Sequence, residues 1–540
     1  MSLARIKRFP NIALRNVLIL FQRPAQTQAE DESRDASLKA RNPITILASL
    51  TFQQWGFYTV AWGGWIFDSY DFNVLAIQTT KLSRYYHVDK TRIADAITFT
   101  LLFRLIGALI FGIVGDYYGR KWPFAINMWL LGILQIATVY AESYGTFVAV
   151  RSLFGVAMGG VFGGACAMAL ENMPIEARGL LGGVFQEGYS VGYIIAAVGN
   201  LIVGGATNSW KSLFWFGAGG SFLFGTLRLA LPESRQFLEA RSAGRGGQST
   251  RDFGKDTVAM LKAHWPVAIY CGVSSAISHF ARQHRIRSEV MSRDFIQIFM
   301  TIVNFWGHTC ADSYTTFMLA GNQLKNGPAS RASIWMKTGA LFGGTVMGYC
   351  SQWLGRRRAI VLSALVCGLM IPAWILPDTV AGLVAGGFFL QFFLGGAVGI
   401  VPAHLQELSP PQFRAVFVGM AYQLGNAIAS PATQIVSDLA EHHFKSTGPD
   451  GRSVDGYGPV MGVATAIFAS LMVLWTSIGP ENAGSHFERA RVAGAIGVSK
   501  ELPSYESDPS NTPAVEAQHA DILIPVQPAA QDGSEGSSRE

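Results

Sequence analysis

The chain has 540 residues, half of them apolar and 14% charged, with a formal net charge of +6 and a mean hydropathy of +0.27. A soluble domain carries about 25% charged residues, so this chain has too little charge to cover a water-facing surface of its size. That composition excludes an ordinary soluble enzyme, a disordered chain and a disulfide scaffold. It points instead to a multi-span helical membrane protein with a lipid bilayer as its solvent.

In such a protein the basic excess marks cytoplasmic loops rather than nucleic-acid binding, and no nucleic-acid partner is expected. Cys166, Cys271, Cys310, Cys350 and Cys367 lie in apolar or near-apolar stretches without a CxxC pair. They read as small buried hydrophobes, and neither a metal site nor a cofactor is expected.

Residues 1–45 form a basic N-terminal tail, with eight Lys/Arg against four Asp/Glu. Its apolar piece from Ile12 to Phe21 is broken by Arg15 and reads as an amphipathic segment, not a signal peptide. Twelve apolar stretches follow, near 53–76, 93–115, 122–140, 146–170, 180–204, 212–231, 295–320, 333–353, 358–378, 381–403, 414–438 and 458–478. Each is near the ~20 residues a helix needs to cross the hydrocarbon, and a helix satisfies its own backbone there.

The spans divide into a six-helix bundle over 46–232, a middle loop over 233–264 and a second six-helix bundle over 265–480. Residues 481–540 are polar, with ten acids and four bases, and read as a disordered tail. Arg120 and Lys121, the basic middle loop, and Arg356 to Arg358 fall in alternate loops. This spacing puts both termini in the cytoplasm, and the plasma membrane is the expected location.

One stretch interrupts the pattern. Between Cys271 and Phe295 the chain turns polar and rich in arginine and histidine. Two readings stand for 272–294: an insertion looping into the cytoplasm, or non-coding sequence carried into the gene. Sequencing the transcript separates them.

The two halves repeat at a constant offset of 236 residues. Gly112, Asp116, Gly119, Arg120 and Lys121 align with Gly348, Gln352, Gly355, Arg356 and Arg357. Glu171, Pro174 and Arg178 align with Glu407, Pro410 and Arg414; Gly159, Gly160 and Gly163 align with Gly395, Gly396 and Gly399. Parallel six-helix repeats are how one large class of secondary transporters is built. In these loops an acid with bases on the next turn can bridge helix ends. The loops read either as a gating latch made in one state and broken in another, or as topology and packing signals. Gln352 removes the carboxylate from the second copy, so a latch there is asymmetric.

The segment Gly112–Lys121 resembles the loop signature of the major facilitator superfamily. Arg151, Gly155 and Gly159 resemble its fourth-span motif, and Pro232-Glu233-Ser234 its end-of-sixth-span motif. The resemblance covers about residues 45–480 and implies two bundles rocking around a midplane site.

Ionisable groups at membrane depth are costly and hence functional candidates. Asp68 and Asp71, three apart in the first span, read as a proton-coupling or gating pair. Arg104, deep in the second span, needs an anionic partner: either an acid in a permanent salt bridge or a bound substrate. In the seventh span Asn304, His308, Asp312 and Thr316 recur every four residues and form one stripe along a helix. His308 and Asp312 can hold or pass a proton. Gln423 and Asn426 share a face of the eleventh span; Gln186, Glu187 and Tyr189 are weaker candidates.

This stripe resembles the seventh-span signature of fungal lactate/pyruvate–proton symporters, the Jen-type carboxylate permeases related to sialate–proton symporters. Asn304, His308, Asp312 and Thr316 match, whereas Gly307, Cys310 and Ala311 depart from it. Gln423, Asn426 and Arg104 match the family's eleventh- and second-span residues. The resemblance implies that Arg104, Asn304, His308, Asp312, Thr316, Gln423 and Asn426 line the substrate path; together with the reading of the buried acids, substrate binding is expected of Arg104, Asn304, His308, Thr316, Gln423 and Asn426, and proton coupling of Asp68, Asp71, His308 and Asp312. Its partners would be a small carboxylate and protons. Another substrate class on the same fold (sugar, aromatic acid or dicarboxylate) and a non-transporting nutrient sensor are the alternatives. With no Walker loop, GxSxG or HExxH, an enzyme is not expected.

Overall fold

A computed structural model describes residues 42–204, 209–233, 287–409, 414–447 and 453–481. Residues 1–41, 234–286 and 482–540, which hold nearly all of both tails, the middle loop and most of the stretch 272–294, therefore lie outside the described residues.

Twelve helical rods make up almost all of what is described. The first four are α1 (Phe52–Ile77), α2 (Lys90–Tyr118), α3 (Lys121–Val139) and α4 (Tyr144–Glu171). The fifth is interrupted, as α5 (Ile175–Gln186) and α6 (Gly188–Gly199), and α7 (Lys211–Ala230) completes the first half. In the second half come α8 (Arg287–Ala311), α9 (Asn326–Leu354), α10 (Arg356–Ile375), α11 (Val380–Gly399) with α12 (Val401–Leu408), α13 (Arg414–Ala429) with α14 (Ala432–Asp438), and α15 (Tyr457–Ile478). A two-stranded antiparallel hairpin pairs Lys445–Thr447 with Ser453–Asp455 before α15. Local chemistry starts the rods: Thr51 and Gln54 cap α1 reciprocally, and Ser143 caps α4.

Among the described residues six helices are, by length and composition, able to cross a membrane, among them Asp95–Tyr118, Tyr144–Glu171 and Val380–Leu408. Rods such as α1 and α8 fall short because they carry polar groups turned inward. Outward, large apolar side chains are bare: Leu369 is 74% and Leu474 62% exposed. Bare apolar surface of this kind needs lipid against it.

Packing obeys the 236-residue repeat. α2 lies against α4 as α9 lies against α11, and α2 meets α13 as α9 meets α5. The last two contacts join the halves. Close approach depends on glycine. A Cβ on Gly107 would strike the Val156 carbonyl, and one on Gly343, its repeat mate, would strike the Phe392 carbonyl. Gly119 and Gly355, likewise repeat mates, hold φ of +94° and +89°, a region that costs other residues strain.

The expected seventh span, 295–320, differs at its start. The helix already runs from Arg287, so the last residues of the arginine-rich stretch are helical. It is also broken near its end: α8 stops at Ala311, and after a turn at Asp312 and Ser313 the chain resumes helical form over Tyr314–Thr316 and, as a π-helix, Phe317–Gly321.

Candidate functional site

The loops at one end of the rods join the two halves. The Asp116 carboxylate accepts hydrogen bonds from the backbone N–H groups of Ala415 (3.2 Å) and Val416 (3.0 Å) at the start of α13. Arg120 bridges Asp116 (3.4 Å) and Glu171. In the second copy Gln352 accepts from the Gly179 N–H (3.2 Å) on α5 and donates to the Ile175 carbonyl (2.8 Å). Arg356 donates twice to Glu407, at 3.0 and 3.1 Å. Gly112 lies against Val416, and Gly348 against Gly179. Even the caps repeat: Glu233 accepts from the Lys121 N–H, and Glu481 from the Arg357 N–H. Both latches are therefore made in this structure. Asp116 brings a full negative charge to a helix N-terminus, and Gln352 only a dipole.

A cavity of about 90 Å³ lies between the halves. Arg104, Asn304, His308, Asp312 and Asn426 line it. Arg104 faces Asp68 at 3.9 Å, beyond hydrogen-bond reach, with its guanidinium 4.9 Å from the centre of the Phe72 ring. His308 places Nδ1 2.7 Å from an Asp312 carboxylate oxygen and Nε2 3.2 Å from the Asn426 amide oxygen. Both ring nitrogens thus face acceptors, the arrangement an imidazolium satisfies. Gln423 stands behind, accepting from the Asn426 amide (3.4 Å), and Asn304 donates to the Met300 carbonyl of its own helix (2.8 Å). Across the cavity the Ser190 hydroxyl donates to Glu187 at the break between α5 and α6 (2.6 Å).

Four expected site residues, Asp68, Asp71, Thr316 and Gln423, are not part of this lining; Asp68 and Gln423 stand directly behind it, and the other two lie elsewhere. Thr316 follows the turn that ends α8, is exposed and is not part of the lining. A spacing of four holds one stripe only while the helix continues. Asp71 is fully buried inside the first half, accepting from Gln135 (2.9 Å) and Ser221 (3.4 Å). Gln135 in turn accepts from Arg151 (3.0 Å). Three residues along a helix leave two side chains about 60° apart and about 4.5 Å apart along the axis, and here that offset takes Asp68 to Arg104 on α2 and Asp71 to Gln135 on α3 and Ser221 on α7.

The lining also contains Lys337, from α9, which the sequence did not single out. A lone lysine near the start of an apolar stretch looks like an interfacial anchor. The offset of 236 would have exposed it, because Leu101 and Arg104 pair with Lys337 and Ala340, and all four line the cavity. The same offset pairs Asp68 with Asn304, Phe72 with His308, Glu187 with Gln423 and Ser190 with Asn426.

Two bundles of lipid-exposed rods enclosing a polar cavity define a membrane transporter. The Major Facilitator Superfamily profile matches residues 44–434, and the chain belongs to that superfamily. It is a carrier and not an enzyme. It is 28% identical over 78% of its length to the carboxylic acid transporter protein homolog of Saccharomyces cerevisiae, covering 68% of that protein. It is 22% identical over 77% of its length to the sialic acid transporter NanX of Escherichia coli, covering 91% of it. Among solved structures, the human organic anion transporter MFSD10 superposes with a TM-score of 0.58 at 12% identity, covering 79% of this chain and all of that one. The partially occluded inward-open xylose transporter XylE from E. coli gives 0.56 at 16% identity, covering 81% and 100%. At such identities the two structures speak for the fold alone.

Proposed function

We propose that this chain is a proton-coupled symporter of short monocarboxylates such as lactate and pyruvate, working by alternating access. The observation that carries the reading is His308, held between Asp312 and Asn426 with both ring nitrogens on acceptors, in one cavity with Arg104. A ring so placed can hold a proton while the guanidinium meets a carboxylate. The small volume suits an acid of a few carbons. The printed names of relatives, which include carboxylic acid and sialic acid transporters, agree with an anionic substrate.

In this reading a proton settles on the His308–Asp312 pair and the substrate carboxylate then binds beside Arg104. Asn304 and Asn426 meet its other oxygens, and Gln423 holds the Asn426 amide from behind. Partial neutralisation lowers the cost of closing the site away from water, so the halves rock only when loaded. The Asp116 and Gln352 latches, on the face expected to be cytoplasmic, open as the opposite face closes. Membrane potential and the proton gradient supply the drive.

A second reading, an aromatic acid, draws on the rings of Phe72, Tyr189 and Tyr422 in the lining. Uptake of radiolabelled lactate, pyruvate and benzoate into permease-deficient cells, with and without an uncoupler, tests both. Uncoupler-sensitive accumulation of lactate or pyruvate supports the proposal. Accumulation of benzoate alone selects the second reading, and entry of none of the three removes both.

A further inference from the structure

Lys337 has no role in the mechanism above, yet its surroundings single it out. The residue is 7% exposed and lines the cavity. Its ammonium lies 5.6 Å from the centre of the Tyr189 ring and 5.4 Å from that of Tyr193, both on α6 of the opposite half. Among the described residues it makes no hydrogen bond and no ion pair within 4 Å; Asp312 and Glu187 act on its charge only from further away. Three N–H donors on a buried cation are thus unused, a costly arrangement unless an acceptor arrives.

The repeat sharpens the contrast. In the first half the cation is Arg104, and Asp68 faces it. In the second half those positions hold Ala340 and Asn304, both uncharged, and the cation has moved one turn, to the place Leu101 occupies in the first. The second half has therefore kept a cavity-facing cation and lost the acid that would answer it. Tyrosine faces stabilise an ammonium without using its hydrogen-bond donors, so they hold Lys337 ready.

We infer that Lys337 is the anchor for the substrate carboxylate on the second half, with Arg104 receiving the same anion from the first. This rests on the reading of the cavity as an anion site. A carboxylate spanning the two cations ties α2 to α9 and so links occupancy to the relative placement of the halves. It also displaces the long-range hold that Glu187 and Asp312 have on Lys337. That leaves these acids, with His308, as the cavity's acceptors for the companion proton. Lys337 would be specific for charge: an uncharged amide of the same shape offers it much less.

The test uses the full chain, purified in detergent, and reads equilibrium binding of lactate, pyruvate, nicotinate and N-acetylneuraminate, with lactamide as the neutral mimic of lactate. Wild-type protein, Lys337→Gln, Lys337→Arg and Lys337→Met are compared. The methionine variant keeps an unbranched stem over the two tyrosines and serves if the glutamine variant fails to fold. Expected is a loss of at least tenfold in affinity for whichever anion the wild type binds, in Lys337→Gln or Lys337→Met, with lactamide binding unchanged and Lys337→Arg close to wild type. An unchanged anion affinity in a folded neutral variant, or an equal loss for lactamide, overturns the inference and leaves the transport reading standing. Binding of nicotinate or N-acetylneuraminate but not lactate or pyruvate, still lost in the neutral variants, upholds the inference and removes the short-monocarboxylate substrate. Binding of none of the anions overturns both.

Discussion

Replacing Asp116 by Asn isolates the charge in the latch. The carboxylate receives two backbone N–H groups from the start of α13, at 3.2 and 3.0 Å, and the Arg120 guanidinium at 3.4 Å. A hydrogen bond to a charged group contributes about 1.5–3 kcal/mol and a neutral one about 0.5–1.5. An asparagine retains one oxygen, so one of the two backbone bonds survives in neutral form and the other is lost, a net cost of roughly 2.5–4.5 kcal/mol. At about 1.4 kcal/mol per decade, the joint opens roughly 60- to 1600-fold more often. Amide hydrogen exchange reads this directly, because the N–H groups of Ala415 and Val416 exchange when the latch opens. In Asp116→Asn the peptide beginning α13 should exchange faster by that factor, while the α5 peptide containing Gly179, held by Gln352, should change much less. Equal acceleration at both ends, or none, would refute the charge argument and reduce the loop to packing.

Replacing Asp312 by Asn should abolish uphill lactate accumulation and bring the internal-to-external ratio to about one; normal accumulation would remove this acid from coupling. Arg104→Ala should raise the half-saturation concentration roughly 10- to 150-fold, from loss of a charged hydrogen bond of about 1.5–3 kcal/mol. An unchanged half-saturation concentration would make Arg104 only the structural partner of Asp68. Gly355→Ala forces a Cβ onto a backbone at φ +89° and should cost about 1–3 kcal/mol, read as a lower thermal midpoint of the purified protein. An unshifted midpoint would show that the loop relaxes around it.

The fold was legible because lipid imposes length and repetition imposes architecture. Helical spans and the 236-residue offset need no knowledge of contacts. The stripe Asn304, His308, Asp312 was legible for the same reason, since a period of four is a property of a helix alone. Thr316 was misplaced because no Pro or Gly announces the turn at Asp312 and Ser313. Asp71 was misplaced because its distance from Asp68 along the sequence says nothing of which neighbours each finds. The partners of Asp116 lie some 300 residues away, and only packing brings them there. Lys337 was hidden by its position, four residues into an apolar stretch where a snorkelling anchor is the ordinary reading.

The repeat also separates scaffold from chemistry. Where both halves keep the same residue type, the residue serves geometry: Gly107 and Gly343 let helices touch, Gly119 and Gly355 turn the loop, and Glu171 and Glu407 receive Arg120 and Arg356. In the lining and at the gate the halves differ: Phe72 against His308, Leu101 against Lys337, Glu187 against Gln423, Asp116 against Gln352. Two matched halves are what rocking requires, since each state of one half needs its counterpart in the other. A single substrate with one charged end cannot be met by two identical surfaces without leaving one of them unsatisfied. Symmetry in the scaffold and its loss in the lining are therefore both consequences of carrying one small polar molecule between two bundles, and substitutions at the unmatched positions should change selectivity and coupling more than folded yield.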